Sequence, residues 1–244
     1  MRNTFVVFKR EFAAYFSTPV AYVFLIVYLL VSGYFTWILG DYYANDQADL
    51  QGFFANHPWV YVVLIPAVTM RLWAEERRGG TIELLLTLPI SMTQAVVGKF
   101  LAAWAFTGVA LALTFTEWLS VSYLGDPDHG VILASYIGSL LMAGGFLAVG
   151  SAVSALTKNQ VIAFVLSLVS CLAIVFLGFP GVIDLISSWA PEFLVDTVRS
   201  FSFLTHFAAI TRGVVEARDL LFFLSLIALF LYANVVFVDL RKAH

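Results

Sequence analysis

An uncharged apolar segment from about Val20 to Gly40 constrains this chain more than any other feature of its sequence. A helix needs about 20 apolar residues to cross a bilayer, which is the length of this segment. It lacks a small-residue cleavage site, so we expect it to be retained as a membrane span. Of the 244 residues, 61% are hydrophobic and only 12% are charged. A soluble core of this size could not bury so much apolar surface, so the sequence predicts an all-α integral membrane protein.

The hydropathy pattern predicts six transmembrane helices, at residues 20–40, 58–72, 93–122, 131–156, 161–178 and 220–238. Residues 2–17 form an amphipathic helix at the membrane interface, with Lys9 and Arg10 beside an aromatic stripe. We expect the stripe to face lipid, and it consists of Phe5, Phe8, Phe12, Tyr15 and Phe16. Residues 179–218 are broken by proline and glycine, and we expect short amphipathic helices there.

Basic residues are distributed unevenly between the two sides of the predicted membrane. With the N-terminus in the cytoplasm, ten of the 13 Lys and Arg residues are cytoplasmic, and only Arg199, Arg212 and Arg218 lie outside. This distribution satisfies the positive-inside rule with both chain ends inside. It places residues 75–91 in the cytoplasm and residues 179–218 on the outer face of the membrane.

Residues 75–91 form the densest cluster of charge and lie between the second and third predicted spans. Thr81 is a plausible helix N-cap, with Glu83 in the first turn and Pro89 at the end. Residues 91–94 have the form of a capping box that starts the third span. A charged helix held between two spans indicates a docking element for a cytoplasmic partner. The alternative is a solvated loop that follows the positive-inside rule and buries a leucine face.

The third predicted helix is longer than a bilayer requires, so we expect Lys99 near its start to reach water. Gly98 and Lys99 do not form a phosphate-binding loop, because the upstream glycine and the preceding strand are missing. The four histidines are scattered, without the spacing of metal ligands. We therefore expect no catalytic residue, cofactor or metal in this chain, and an energy source outside it.

Three residues are candidates for a substrate path or gate. Glu117 is the one acid within a predicted span, and it is either an acid at the outer interface or part of a pore or gate. His206 and Arg212 lie in the outer region and either cap or pair locally, or contact a substrate or partner. The fourth span is rich in small residues, which favours close packing within the chain or against another subunit.

Two blocks of sequence resemble the ABC-2 type permeases, the membrane subunits of one class of ATP-binding-cassette transporters, and most closely the gliding-motility-associated subfamily. The first block is Glu75–Ser91 followed by Gly98 and Lys99, and the second is Ser202–Phe207 with Arg212–Val215, Arg218 and Asp219. The resemblance implies a multi-pass protein of the bacterial inner membrane that pairs with a second permease copy. It also implies two cytoplasmic ATPase subunits that bind ATP and Mg. We expect no nucleic-acid partner for this chain. An auxiliary protein on the outer side is compatible with the lack of a large outer domain.

The same resemblance assigns roles to individual segments. It implies that residues 2–17 are an elbow helix and that Thr81–Leu88 is the coupling helix, set in a groove of the ATPase. Lys158 would mark a lesser contact with the ATPase. The residues expected to bind the ATPase, by charge or by filling its groove, are Glu75, Glu76, Arg77, Arg78, Thr81, Glu83, Leu84, Leu85 and Leu88. Outer-face helices at residues 179–218 would cap the translocation path.

Three functions are compatible with these features. The first is export or translocation of a substrate, driven by ATP hydrolysis in the separate subunit. The second is a mechanotransmission or scaffold subunit that drives a periplasmic machine, as in gliding motility, and transports nothing. The third, an integral membrane enzyme, is disfavoured because the sequence has no catalytic constellation. The near absence of charge within the spans suits a lipid, a hydrophobic substrate or no substrate.

Overall fold

The computed structural model describes residues 2–39, 49–82 and 89–240, and the regular elements in these residues are helices. The first four are α1 (Arg2–Phe16), α2 (Pro19–Tyr34), which continues into a π-helical turn at Phe35–Leu39, α3 (Gln51–Thr69) and α4 (Ala74–Arg78). The next four are α5 (Met92–Leu113), α6 (Phe115–Leu124), α7 (His129–Ser154) and α8 (Gln160–Phe176). The last four are α9 (Pro180–Ser187), α10 (Glu192–Ser200), α11 (Phe203–Ile210) and α12 (Ala217–Leu240).

Five helical stretches are long and apolar enough to cross a membrane, namely Pro19–Ile38, Gln51–Arg78, Met92–Leu124, His129–Ser154 and Ala217–Leu240. Helices α8 and α9 meet at a bend of 65° and together form a sixth candidate. The prediction of an all-α integral membrane protein is confirmed. Helix α3 begins before Pro58, the expected start, because Phe53 and Phe54 are buried against the bundle.

Helix α7 lies at the centre of the bundle and packs on α3, α5, α8 and α12. Its glycines permit these close approaches. A Cβ atom added to Gly150 would lie 2.3 Å from Thr69 Oγ1, and one added to Gly138 would lie 2.6 Å from Ile210 Cγ2. The small-residue face of the fourth span therefore contacts helices of its own chain, where close approach gives extensive van der Waals contact.

The expectation that the aromatic stripe of α1 faces lipid is wrong for its C-terminal part. The rings of Tyr15 and Phe106 stack with centroids 4.7 Å apart, and Phe16 meets the same Phe106 ring edge-on at 5.7 Å. Phe5, by contrast, remains 64% exposed. Stacking against α5 buries large aromatic surfaces in favourable ring geometry, which a position in lipid would not provide. Helix α1 is thus part of the bundle along much of its length.

Candidate docking and coupling site

The docking segment, residues 75–91, emerges from the end of the second candidate span. Its Glu83, Leu84, Leu85 and Leu88 lie outside the described residues. Helix α4 ends at Arg78 with Gly79 as its C-cap, and Gly80 adopts a left-handed φ of 69°, which turns the chain towards residues 81 and 82. The Thr81 hydroxyl donates to the Glu76 carbonyl at 3.3 Å, and Thr81 itself is exposed.

The far end of the docking segment is fixed by the predicted capping box. The Gln94 amide donates to Ser91 Oγ at 3.2 Å, and the Ser91 amide donates to Gln94 Oε1 at 3.1 Å. These reciprocal bonds satisfy two amides that the start of a helix leaves without partners. The far end of the segment is therefore held to the first turn of α5.

Lys99 is buried at the root of the docking segment, which corrects the expectation that it reaches water. Its side chain is 3% exposed, and Nζ lies 2.8 Å from Glu76 Oε1 and 3.2 Å from Glu11 Oε2. Arg10 pairs with Glu11 and lies 4.0 Å from Glu76 Oε1. Nearby opposite charges compensate for the loss of hydration, which explains why a lysine is stable here. We call Arg10, Glu11, Glu76 and Lys99 the ion cluster.

The pKa of Glu11 reflects the charges of the ion cluster. Burial acts to raise the pKa of Glu11, but the charges of Lys99 and Arg10 outweigh burial, and the pKa falls below its usual value of 4.5. Burial likewise raises the pKa of neighbouring Tyr15 above its usual range. A cleft of about 260 Å³ opens beside the cluster between α1 and α4. The cluster therefore holds ionised side chains in a site only partly open to water.

Helix α1 contacts the docking segment at both of its ends. At the root, Glu11 binds Lys99, which also binds Glu76. At the far end, Asn3 Nδ2 donates to the Pro89 carbonyl at 3.2 Å. Helices α1, α4 and α5 are thus joined by polar contacts at one end of the bundle. We call this the basic end.

The other predicted docking residues have different environments. Glu75 pairs with Arg71, with 2.9 Å between Oε2 and Nε. Arg77 is half-buried, whereas Arg78 is exposed. Lys158 is also exposed, on the turn between α7 and α8, and α8 contacts α4. Exposed basic groups therefore surround the root of the segment, while Glu76 points into the ion cluster. Lys9 adds a further exposed cation on α1.

The three candidate path residues have separate sets of neighbours. Glu117 is half-buried just beyond the break at Thr114, and its Oε1 lies 3.7 Å from where a Cβ on Gly33 would be. His206 is buried, with Nδ1 2.6 Å from Asp219 Oδ1 and Nε2 3.0 Å from the Ser200 carbonyl. The exposed Arg212 donates from Nε to the Ala208 carbonyl at 3.0 Å.

Sequence reasoning missed Glu11 as the partner of Lys99 and Asp219 as the partner of His206. Asp219 falls within the second block of resemblance, which was the signal that could have found it, whereas Glu11 lies in neither block. Among the described residues, no group of three or more His, Cys, Asp or Glu side chains could hold a metal ion.

Comparison with protein families places the chain in a family. A family model described as ABC-2 family transporter protein matches residues 7–239, which extend from α1 to the end of α12. The match includes both blocks of resemblance and the whole ion cluster. It identifies the ABC-2 family and does not distinguish the gliding-motility-associated subfamily within it. No curated protein sequence matches the chain at a significant level.

Proposed function

The chain belongs to the ABC-2 family of transporter proteins, and we propose that its docking segment receives force from ABC ATPase subunits and passes it to the membrane spans. Family membership makes it the membrane permease subunit of an ABC transporter and implies association with ABC ATPases. We further propose that two ATPase subunits, which bind ATP and Mg, act on a pair of permeases in the bacterial inner membrane. An auxiliary protein on the outer side and the gliding-motility subfamily remain predictions.

The observation that carries this proposal is the buried pair between Lys99 and Glu76. Glu76 belongs to the docking segment, Lys99 belongs to α5, and Glu11 adds α1 to the same cluster. The pair resists separation, because the Lys99 side chain is almost fully buried and its charge, left alone, would lack both water and a partner. Force applied to the segment is therefore transmitted to α1 and α5 together, as a lever requires.

The surface left for an ATPase is basic and lies outside the ion cluster. Arg78, Thr81 and Lys158 are exposed around the root of the segment. We propose that these groups meet acidic residues of the ATPase and that Leu84, Leu85 and Leu88 fill its groove. Charge complementarity would favour rapid and specific association, while the leucines would supply affinity.

Charge reversal at the docking segment tests the proposal. Arg77→Glu with Arg78→Glu should abolish co-purification of the permease with its ABC ATPase. The matched control is Arg199→Glu with Arg218→Glu, which reverses two charges at the opposite end of the bundle and should leave co-purification unchanged. Undiminished co-purification and transport in the docking variant would overturn the proposal.

We propose that the complex exports or translocates a substrate, with Glu117, His206 and Arg212 as candidate path or gate residues. The alternative, a mechanotransmission subunit, predicts an intact ATPase complex that moves no substrate. The two are separated by reconstituting the complex in liposomes and measuring ATP-dependent movement of lipids and hydrophobic solutes. Coupled hydrolysis without movement of any of them would favour mechanotransmission.

A further inference from the structure

A series of buried polar contacts connects the root of the docking segment to the last span, α12. Trp73 lies just before α4, and its Nε1 donates to Ser151 Oγ at 3.3 Å. Asn234, on α12, donates from Nδ2 to the same Ser151 Oγ at 2.6 Å. A hydroxyl oxygen has two lone pairs, so Ser151 can accept both bonds at once. One serine on α7 thus joins α12 to the docking root.

Trp73 is also held on the docking side. The Lys99 ammonium lies 5.5 Å from the centre of its ring, within the range of a cation–π contact. The main-chain amides of Trp73 and Ala74 both donate to Ser154 Oγ at 3.3 Å. Trp73 and Ser154 are fully buried, so water cannot replace these bonds. Displacement of α4 must therefore carry Trp73 with it or leave buried polar groups without partners.

Asn234 is suited to respond to such a displacement. It is fully buried, and its Oδ1 has no hydrogen-bond partner among the described residues. An acceptor without a partner in the core is costly, and a second arrangement of the helices that satisfied it would gain that energy. Only 22% of the membrane-spanning window of α12 is buried in the chain. Most of α12 is therefore free to move without disturbing the core, and the contacts that must adjust lie chiefly against α7.

We propose that Trp73, Ser151 and Asn234 are positioning residues that transmit displacement of the docking segment to α12. This inference rests on the proposed function, because it requires an ATPase that moves the segment. It identifies α12 as the span that moves and the hydrogen bonds accepted by Ser151 as the contacts that move it. The ion cluster binds α1 and α5, whereas this network binds α12.

Spin labels on α8 and α12 test the inference in the permease–ATPase complex. In a Cys171→Ala background, labels replace Val161 and Leu240, which are 69% and 66% exposed. The distance between them is measured in lipid nanodiscs with and without a non-hydrolysable ATP analogue. We expect the analogue to shift this distance in the otherwise native protein. Asn234→Leu and Trp73→Phe should each lower the ratio of shifted to unshifted molecules about two- to thirtyfold.

The two substitutions remove bonds to the same oxygen, so Trp73→Phe combined with Asn234→Leu should lower the ratio no further than the stronger single change. If the substitutions only damaged the structure, their losses of thermal stability would add, and the nucleotide-dependent shift in distance would persist. The matched control is Ser167→Ala, because Ser167 is a buried serine that donates to the Gly150 carbonyl at 3.4 Å, outside this network. Ser167→Ala should keep the full nucleotide-dependent shift in distance.

The outcomes separate the two proposals. If the ATPase does not bind the native permease, the docking proposal fails, and the transmission proposal fails with it. If the ATPase binds but α12 does not respond to nucleotide, or responds equally in Asn234→Leu, only the transmission proposal is overturned.

Discussion

Val7 packs directly against Gly98, where an added Cβ would come within 2.8 Å of the Val7 Cβ atom. This contact sets the separation of α1 and α5. One helical turn after Val7 lies Glu11, and immediately after Gly98 lies Lys99, so the close approach brings the two ends of the ion pair together. Gly98 thus permits the close helix approach that lets Lys99 pair with Glu11.

Gly98→Ala is predicted to destabilise the permease. The new methyl would meet the Val7 Cβ atom and, at 3.0 Å, the Thr4 carbonyl oxygen, neither of which can move without α1. Overpacking of this kind costs about 1–3 kcal/mol, which exceeds the gain of about 1 kcal/mol from replacing a helical glycine. The measurement is thermal unfolding in detergent.

The matched control for this prediction is Gly108→Ala on the same helix. A Cβ there would lie 3.5 Å from Leu140 Cδ1, an ordinary contact, so this variant should unfold at or above the native temperature. Equal unfolding temperatures for the two variants would show that α1 does not depend on Gly98.

Lys99→Met is predicted to destabilise the protein more strongly than Gly98→Ala. It leaves the carboxylates of Glu11 and Glu76 close together with Arg10 as the remaining cation of the cluster, and loss of one member of a buried pair costs about 3–5 kcal/mol. Adding Glu11→Gln and Glu76→Gln should restore much of this stability, because the uncompensated charges are removed. Unfolding in detergent measures both effects, and a triple variant no more stable than Lys99→Met would contradict them.

The ion cluster also predicts a dependence of stability on pH. The pKa of Glu11 is lowered on folding from its usual 4.5, so the folded chain binds fewer protons than the unfolded chain just below that pH. The contribution of Glu11 to the free energy of unfolding is therefore complete above pH 4.5 and is lost as the pH falls through the lowered pKa. The difference in unfolding temperature between native protein and Glu11→Gln should shrink on acidification. A difference that stayed constant would exclude an ionised Glu11 as the stabilising form.

The features predictable from the sequence are those that depend on neighbouring residues. The capping box at Ser91 requires only Gln94, three positions away, and the spans follow from continuous apolar segments. The environment of Lys99 could not be predicted, because its partner Glu11 lies far away in the chain and only helix packing joins them. Lysine at the start of a long membrane helix is usually able to reach water, and that general tendency gave the wrong result.

The same limit applies to polar groups within the spans. His57 is fully buried on α3, and its Nδ1 lies 2.6 Å from Ser139 Oγ on α7. In sequence it was one of several scattered histidines with no visible partner. Tyr61 OH lies 2.8 Å from the same Ser139 oxygen. Such contacts arise from the register between two helices, which hydropathy does not determine.

His206 provides the last prediction, at the end of the bundle opposite the ion cluster. Its two ring nitrogens face Asp219 Oδ1 and the Ser200 carbonyl, and its ring stacks on Phe222 with centroids 4.1 Å apart. His206→Phe keeps the stacking but leaves the buried Asp219 carboxylate without its partner. Leaving a buried acceptor without its hydrogen-bond partner costs about 1–3 kcal/mol, so α10 and α11 should detach more readily from α12.

Trypsin cleavage in detergent measures this detachment at Arg199 and Arg212, which flank α11. We expect faster cleavage in His206→Phe and recovery when Asp219→Leu is added, because the double variant leaves no buried charge without a partner. His129→Gln is the control, since His129 is exposed and its Nδ1 accepts a hydrogen bond from Trp118 Nε1. If His206→Phe were cleaved no faster than His129→Gln, the pair with Asp219 would not be what holds α10 and α11 in place.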